Sequence, residues 1–257
     1  MRTFTVLLQK EFIGLWRSKK IIWLPIVFML LSAMQPLTMY FMEDILKMGG
    51  GLPEGAVIKI PTPTSGEVMA SVLSQLNTIG VLIIVVVAMG AISDERKSGA
   101  MTMLLIRPIA PLQLVGSKAI AYGLLLIFSF ICGYWFAYYY TVVLFGAIPF
   151  HSVLQAMSLY SVYILFIVVC VVFCSAFWDS NATIAIVSII FISGLTLVSG
   201  WFTEALKWSP TRLSGYASSV ITGESHIDGI IGCLIVTSVC LLSLLILAAV
   251  AVRRKSA

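Results

Sequence analysis

The ionisable residues that could do chemistry stand outside the long apolar runs of this chain. No Lys, Arg, Asp or Glu falls within residues 21–42, 68–93, 119–178, 180–203 or 229–252. The densest mixed-charge stretch reads Ser93-Asp94-Glu95-Arg96-Lys97-Ser98-Gly99-Ala100, with acid beside base and a glycine to turn the chain. Such residues make ion pairs and docking contacts, and no nucleophile with a base accompanies them. His151 and His226 have no carboxylate or cysteine motif around them, so a metal role is the minor reading for either. Cys170 and Cys174 share a helix face at i,i+4. Small apolar packing is the preferred reading over a metal or redox pair, because free cysteine behaves as a small hydrophobe. No G-x-x-x-x-G-K-S/T phosphate loop, H-E-x-x-H, G-x-S-x-G or C-x-x-C occurs. The chain by itself is therefore expected to be neither an ATPase nor another enzyme, and to hold no cofactor.

The elements that must position those charges are membrane spans. Of 257 residues, 60% are hydrophobic and 11% charged. A bilayer core takes about 20 apolar residues per helix, so four of the five charge-free runs are one span each. The run 119–178 is two spans, broken at Gly146, Pro149, His151 and Ser152. The fold class is thus an all-α polytopic membrane protein with six transmembrane helices, forming a single domain over 1–257. Proton pumps, ion-coupled carriers and voltage sensors need ionisable groups within the membrane. These spans offer none, which places the energy source elsewhere. No signal peptide is expected, since 21–42 is too long for one and no small-residue cleavage site follows it.

Twelve of the sixteen basic residues fall on one side of that topology: Arg2, Lys10, Arg17, Lys19, Lys20, Arg96, Lys97, Arg107, Lys118, Arg253, Arg254 and Lys255. The other side has Lys47, Lys59, Lys207 and Arg212 among seven acids. The positive-inside rule then puts both termini in the cytoplasm. The net charge of +5 follows membrane usage and does not point to nucleic acid. All five cysteines lie within predicted spans, so no disulfide is expected in the outer loops.

Residues 1–20 read as an amphipathic helix before the first span. Phe4, Leu8, Phe12 and Leu15 follow helical spacing, with Leu7 and Trp16 beside them. Such a helix lies in the headgroup plane, either as a plain basic anchor or as an elbow that also forms a partner-docking surface. Pro25 and Pro36 predict kinks in the first span. The outer segment 43–71 carries Gly49, Gly50, Gly51, Pro53, Pro61 and Pro63, the composition of a functional loop or of a passive linker. Gln75 and Asn77 are expected near the outer interface. The aromatic group Tyr134, Trp135, Tyr138, Tyr139 and Tyr140 reads first as a headgroup belt and second as a ligand-stacking surface. Residues 178–181 make a tight inner turn, with Asp179 or Ser180 as cap of the fifth helix. The second outer segment, 203–228, is apolar enough to dip back into the membrane, with Trp208 and Tyr216 as candidate outer-gate residues.

The segment 93–118 resembles the first cytoplasmic loop of ABC-2-type transporter permeases. That family reads acid-basic-x-x-Gly-Thr, a Leu pair, Pro, then Gly-x-Lys. Here Glu95, Arg96, Gly99, Leu104, Leu105, Pro108, Gly116 and Lys118 match, while Ala100 replaces the usual Thr. Lys10-Glu11-Phe12 and Arg17-Ser18-Lys19-Lys20 are similar to the family's elbow helix. The resemblance in organisation covers the whole chain.

The resemblance implies a pairing with separate ATP-binding-cassette subunits, which bind the ATP and Mg, and with a second permease copy or a homologous permease. It implies that the elbow, through Lys10, Glu11, Phe12, Trp16 and Arg17, sits on the ATPase. The loop does the same through Asp94, Glu95, Arg96, Gly99, Met101, Leu104 and Leu105. It further implies a bacterial plasma-membrane exporter, here of an amphipathic or hydrophobic substrate such as a drug, antimicrobial peptide or lipid. Polysaccharide export is disfavoured by the long first outer segment. The alternative is a non-transporting membrane subunit of an ATPase complex that regulates signalling or a protease. With no polar face for a private channel, the pathway is expected between two copies, with the first, second and fifth spans nearest the axis.

Overall fold

The computed structural model describes residues 2–42, 44–45, 63–99, 110–202, 206–223 and 229–256. These residues form α1 (Arg2–Arg17), α2 (Lys20–Tyr40), α3 (Ser65–Lys97), α4 (Pro111–Phe145), α5 (Phe150–Phe177), α6 (Asn181–Trp201), α7 (Arg212–Thr222) and α8 (Ile230–Ser256). No strand occurs among them. Six helices, α2 to α6 and α8, are long and apolar enough to cross a membrane.

Local chemistry sets the helix ends. Thr64 accepts from Glu67 N–H while Glu67 Oε2 accepts from Thr64 N–H, a reciprocal capping box that starts α3 at Ser65. The helix therefore opens inside the stretch 43–71 that composition assigns to an outer loop. Pro111 stands in the first turn of α4, where a missing N–H costs nothing. Gly146, at φ 101°, and Pro149 break the long apolar run between α4 and α5. The reversal from α1 to α2 takes two residues, with Lys19 in the left-handed region at φ 56°. The loop expected at 93–118 is helical at both ends: Ser93 to Lys97 complete α3, and Pro111 to Lys118 begin α4.

Helix α5 runs through the centre, touched by α3, α4, α6, α7 and α8. Its Tyr160, Tyr163, Ile164, Ile167, Val168, Val171 and Val172 are buried. The most extensive helix pair is α2 along α4. It is permitted by Gly133, where any Cβ would sit 2.7 Å from the Phe28 carbonyl oxygen; small residues let membrane helices approach in this way. Helix α2 stays helical through Pro25 and Pro36, and α6 is unbroken through Gly194 and Gly200. Helix α7 lays Leu213, Ala217 and Ile221 against α5 and the first turns of α3. Helices α6 and α8 are the least covered spans and leave Ile186, Ile190, Leu197, Ile235, Val239 and Leu242 bare. Only a lipid environment or another apolar chain suits such faces.

Candidate functional site

The most deeply buried charge among the described residues is Lys118, in the second turn of α4 and 1% exposed. Its ammonium donates to Glu11 of α1 at 3.0 Å and pairs with Glu95 of α3 at 2.9 Å. Lys10 of α1 closes the group by pairing with Glu95, and lies 3.8 Å from Glu11. Two acids thus balance two bases, as burial of a charge requires. The cluster joins three helices that are far apart in sequence. It also explains the register of α1. The buried face of α1 is Leu7, Glu11 and Leu15, whereas Phe4, Leu8 and Phe12 are half-buried and Trp16 is 65% exposed. The buried stripe turns toward the partner of Glu11 and away from the pattern that apolar residues alone predict.

Beside this cluster, the last turns of α3 are fastened to the α5–α6 turn. Arg96 pairs with Asp179 and donates to the Ala176 carbonyl at 2.9 Å, at the negative end of the α5 dipole. Asn181 Oδ1 accepts from Ser93 Oγ at 2.7 Å and from Lys97 Nζ at 3.0 Å. Its Nδ2 donates to Asp94 at 2.8 Å. Met89 keeps α dihedrals and bonds the Val85 carbonyl, and side chains of other helices bind the α3 backbone on either side of it. Ser175 Oγ accepts from Ile92 N–H and Ser93 N–H, each at 3.1 Å. Lys20 Nζ donates to the Val87 carbonyl at 3.2 Å and lies 5.3 Å from the centre of the Tyr122 ring. Gly90 leaves room for the Asp94 carboxylate, which a Cβ there would meet at 2.0 Å.

A second polar group lies midway along the spans. The stretch Leu76–Gly80 of α3 is a π turn, a form common at functional sites. It presents Asn77 and Thr78 to a recess of about 330 Å³ shared with Tyr163 of α5 and with Ser193 and Thr196 of α6. Tyr163 donates to Asn77 Oδ1 at 2.9 Å. Asn77 therefore belongs to an intramembrane polar wall, and the spans are less uniformly apolar inside than their charge-free sequences imply.

The sequence pattern of ABC-2 family transporter proteins matches residues 7–196, which include both polar groups. The chain belongs to the ABC-2 transporter family. An uncharacterized transmembrane protein of Bacillus subtilis (strain 168), YxlG, is 33% identical over 228 residues, covering 89% of this chain and 88% of that one. An ABC-2 permease is the multi-pass membrane subunit of an ABC transporter, and the ATP-binding cassette with which this family works is a different component.

Within this permease the coupling residues read from sequence divide into two groups. Lys10, Glu11, Asp94, Glu95 and Arg96 converge at one end, and Gly99 follows them in a left-handed turn at φ 71°. Their charges, expected to meet a partner subunit, are engaged inside the chain. Met101, Leu104 and Leu105 lie outside the described residues, as do residues 46–62 of the first outer segment. Arg17 is exposed at the end of α1. Sequence reasoning missed the roles of Lys20, Ser175 and Asn181, because their partners lie 67 to 88 residues away.

At the opposite end, Trp208 is 51% exposed and rests on α8 at Gly232, where a Cβ would lie 2.8 Å from its ring. Tyr216 of α7 donates to the Lys207 carbonyl at 3.1 Å. Partial burial, then the neighbouring Cys233, push its phenol above the ordinary value, so it remains a donor. Arg212 donates to the Ser199 carbonyl at 2.8 Å, and hydroxyls of Ser199, Thr211 and Ser209 form a chain. The segment is thereby tied to the end of α6.

Proposed function

We propose that this permease is the membrane half of an ATP-driven exporter for an amphipathic or hydrophobic substrate, such as a drug, an antimicrobial peptide or a lipid. The observation that carries the reading is the buried cluster of Lys118, Glu11, Glu95 and Lys10. It makes the elbow, the charged end of α3 and the start of α4 one mechanical unit, and a motor needs such a unit to push on. The positive-inside bias supports a cytoplasmic position for this unit and both termini, in what we take to be a bacterial plasma membrane. There a separate ATP-binding subunit would dock on α1 and on residues 98–110. Met101, Leu104 and Leu105 would supply apolar anchors and the Lys118 cluster would transmit the load.

The mid-depth recess supports a route for a substrate that is mainly apolar with a few polar groups, a composition usual for binding cavities. It opens beside α3 and α6, two of the three spans expected nearest the axis between two permease copies. Trp208 and Tyr216 would then close the outer end. The test is flux in vesicles containing the permease and its ATP-binding subunit. Leu105→Ala leaves every described ion pair in place and removes one proposed anchor, a loss of about 2 kcal/mol of binding if Leu105 is a hot spot of that interface. Weaker recovery of the ATP-binding subunit and reduced ATP-dependent flux are expected. Unchanged recovery and coupling would overturn the docking role. ATP hydrolysis with no flux of any candidate substrate would favour a regulatory subunit.

A further inference from the structure

Asn181 is the first residue of α6, and its side chain grips three residues of one turn of α3. An amide can accept twice and donate at once. Here Oδ1 takes Ser93 and Lys97, and Nδ2 gives to Asp94. Ser93 is fully buried, so this contact holds the turn from inside as well as at its charged rim. Contacts on residues i, i+1 and i+4 fix both the height and the rotation of the α3 end against α6.

Two walls of the mid-depth recess are α3 itself and α6, and Tyr163 of α5 stands between them. From the charged end, the path along α3 from Asp94 to Thr78 is about 24 Å and runs into the π turn at Leu76–Gly80. The path along α6 to Ser193 is unbroken helix of about 18 Å, at 1.5 Å per residue. A displacement of the α3 end is therefore delivered to the recess more stiffly through α6.

We propose that Asn181 is a positioning residue that passes movement of the α3 charged end to the α6 wall of the recess. This rests on the coupling reading above and adds the route by which the inner end controls the recess. The experiment uses the complete permease with its ATP-binding subunit in lipid nanodiscs. Its five native cysteines are replaced by alanine and Ser193→Cys reports on the recess. Maleimide labelling is followed with and without ATP and vanadate, alongside ATP hydrolysis. In this parent the labelling rate is expected to shift on trapping. Asn181→Ala is expected to lose that shift relative to the ATP hydrolysed. Exchanging the pair, Asn181→Asp with Asp94→Asn, keeps one amide against one carboxylate and an acceptor for Ser93 and Lys97, and is expected to restore it. Should Asn181→Ala fail to fold, Asn181→Asp alone against the exchanged pair makes the same comparison. A shift retained in Asn181→Ala, or one not regained by the exchange, overturns the inference. No shift in the parent overturns the coupling reading and this inference with it.

Discussion

Lys118 shows how one residue can hold three helices. Its ammonium has no access to water and depends on Glu11 and Glu95. Replacing it with methionine keeps the volume and strands two carboxylates beside a single remaining cation, Lys10. Breaking a buried ion pair from one side costs about 3–5 kcal/mol. Lys118→Met is therefore expected to lower the melting temperature in detergent sharply and to free α1 for proteolysis. Lys10 is 43% exposed, and Lys10→Ala should cost below about 1 kcal/mol, as for other accessible pairs. Equal losses from the two substitutions in thermal unfolding would show that burial does not set the strength of this cluster.

Among the elements, α2 and α4 approach closely at Gly133. Gly133→Val must push the Phe28 backbone away, and overpacking of this kind costs about 1–3 kcal/mol. A lowered midpoint of thermal unfolding is expected, whereas Gly194→Ala meets nothing within 4 Å and should leave the midpoint unchanged or raised. The spans themselves were legible as charge-free runs, and the break at Gly146 and Pro149 was legible as turn chemistry. Helix ends were less so. The capping box of Thr64 and Glu67 is written in the sequence as T-S-G-E, yet it follows a run of glycine and proline that reads as loop. Asp94 to Lys97 read as loop because hydropathy stops at Ser93, while the backbone ladder continues for another turn. The members of the inner polar cluster were legible through the family resemblance, but their pairing with one another was not. Glu11 meets Lys118 across 107 residues, and no local period records such a pairing. The π turn is equally silent: Asn77, Thr78 and Gly80 are weak helix formers, but weak propensity does not say that a turn gains a residue.

At the scale of the whole molecule, six crossings return the end of α8 to the side of α1. Single cysteines at Gly50 and Gly223 should react with an impermeant maleimide on intact cells, and those at Ser98 and Ser256 only after permeabilisation. Labelling of the Gly50 site only from within would reverse the orientation. The bare faces of α6 and α8 mean that this chain is completed by lipid or by a second subunit, and its shape in isolation is only part of a wall. The π turn in α3 carries one further consequence, which concerns chain length. A π turn holds one residue beyond what an α turn accommodates. Deleting Thr78 would let the ladder close as regular helix while Met69, Val72 and Leu73 keep their alignment with Ile84, Val85 and Ala88. The deletion variant is expected to melt near the parent and yet to lose maleimide access to Ser193→Cys, because its recess is filled. A gap of one position in this helix would then separate relatives with an open wall from relatives with a sealed one, without any change in side-chain chemistry.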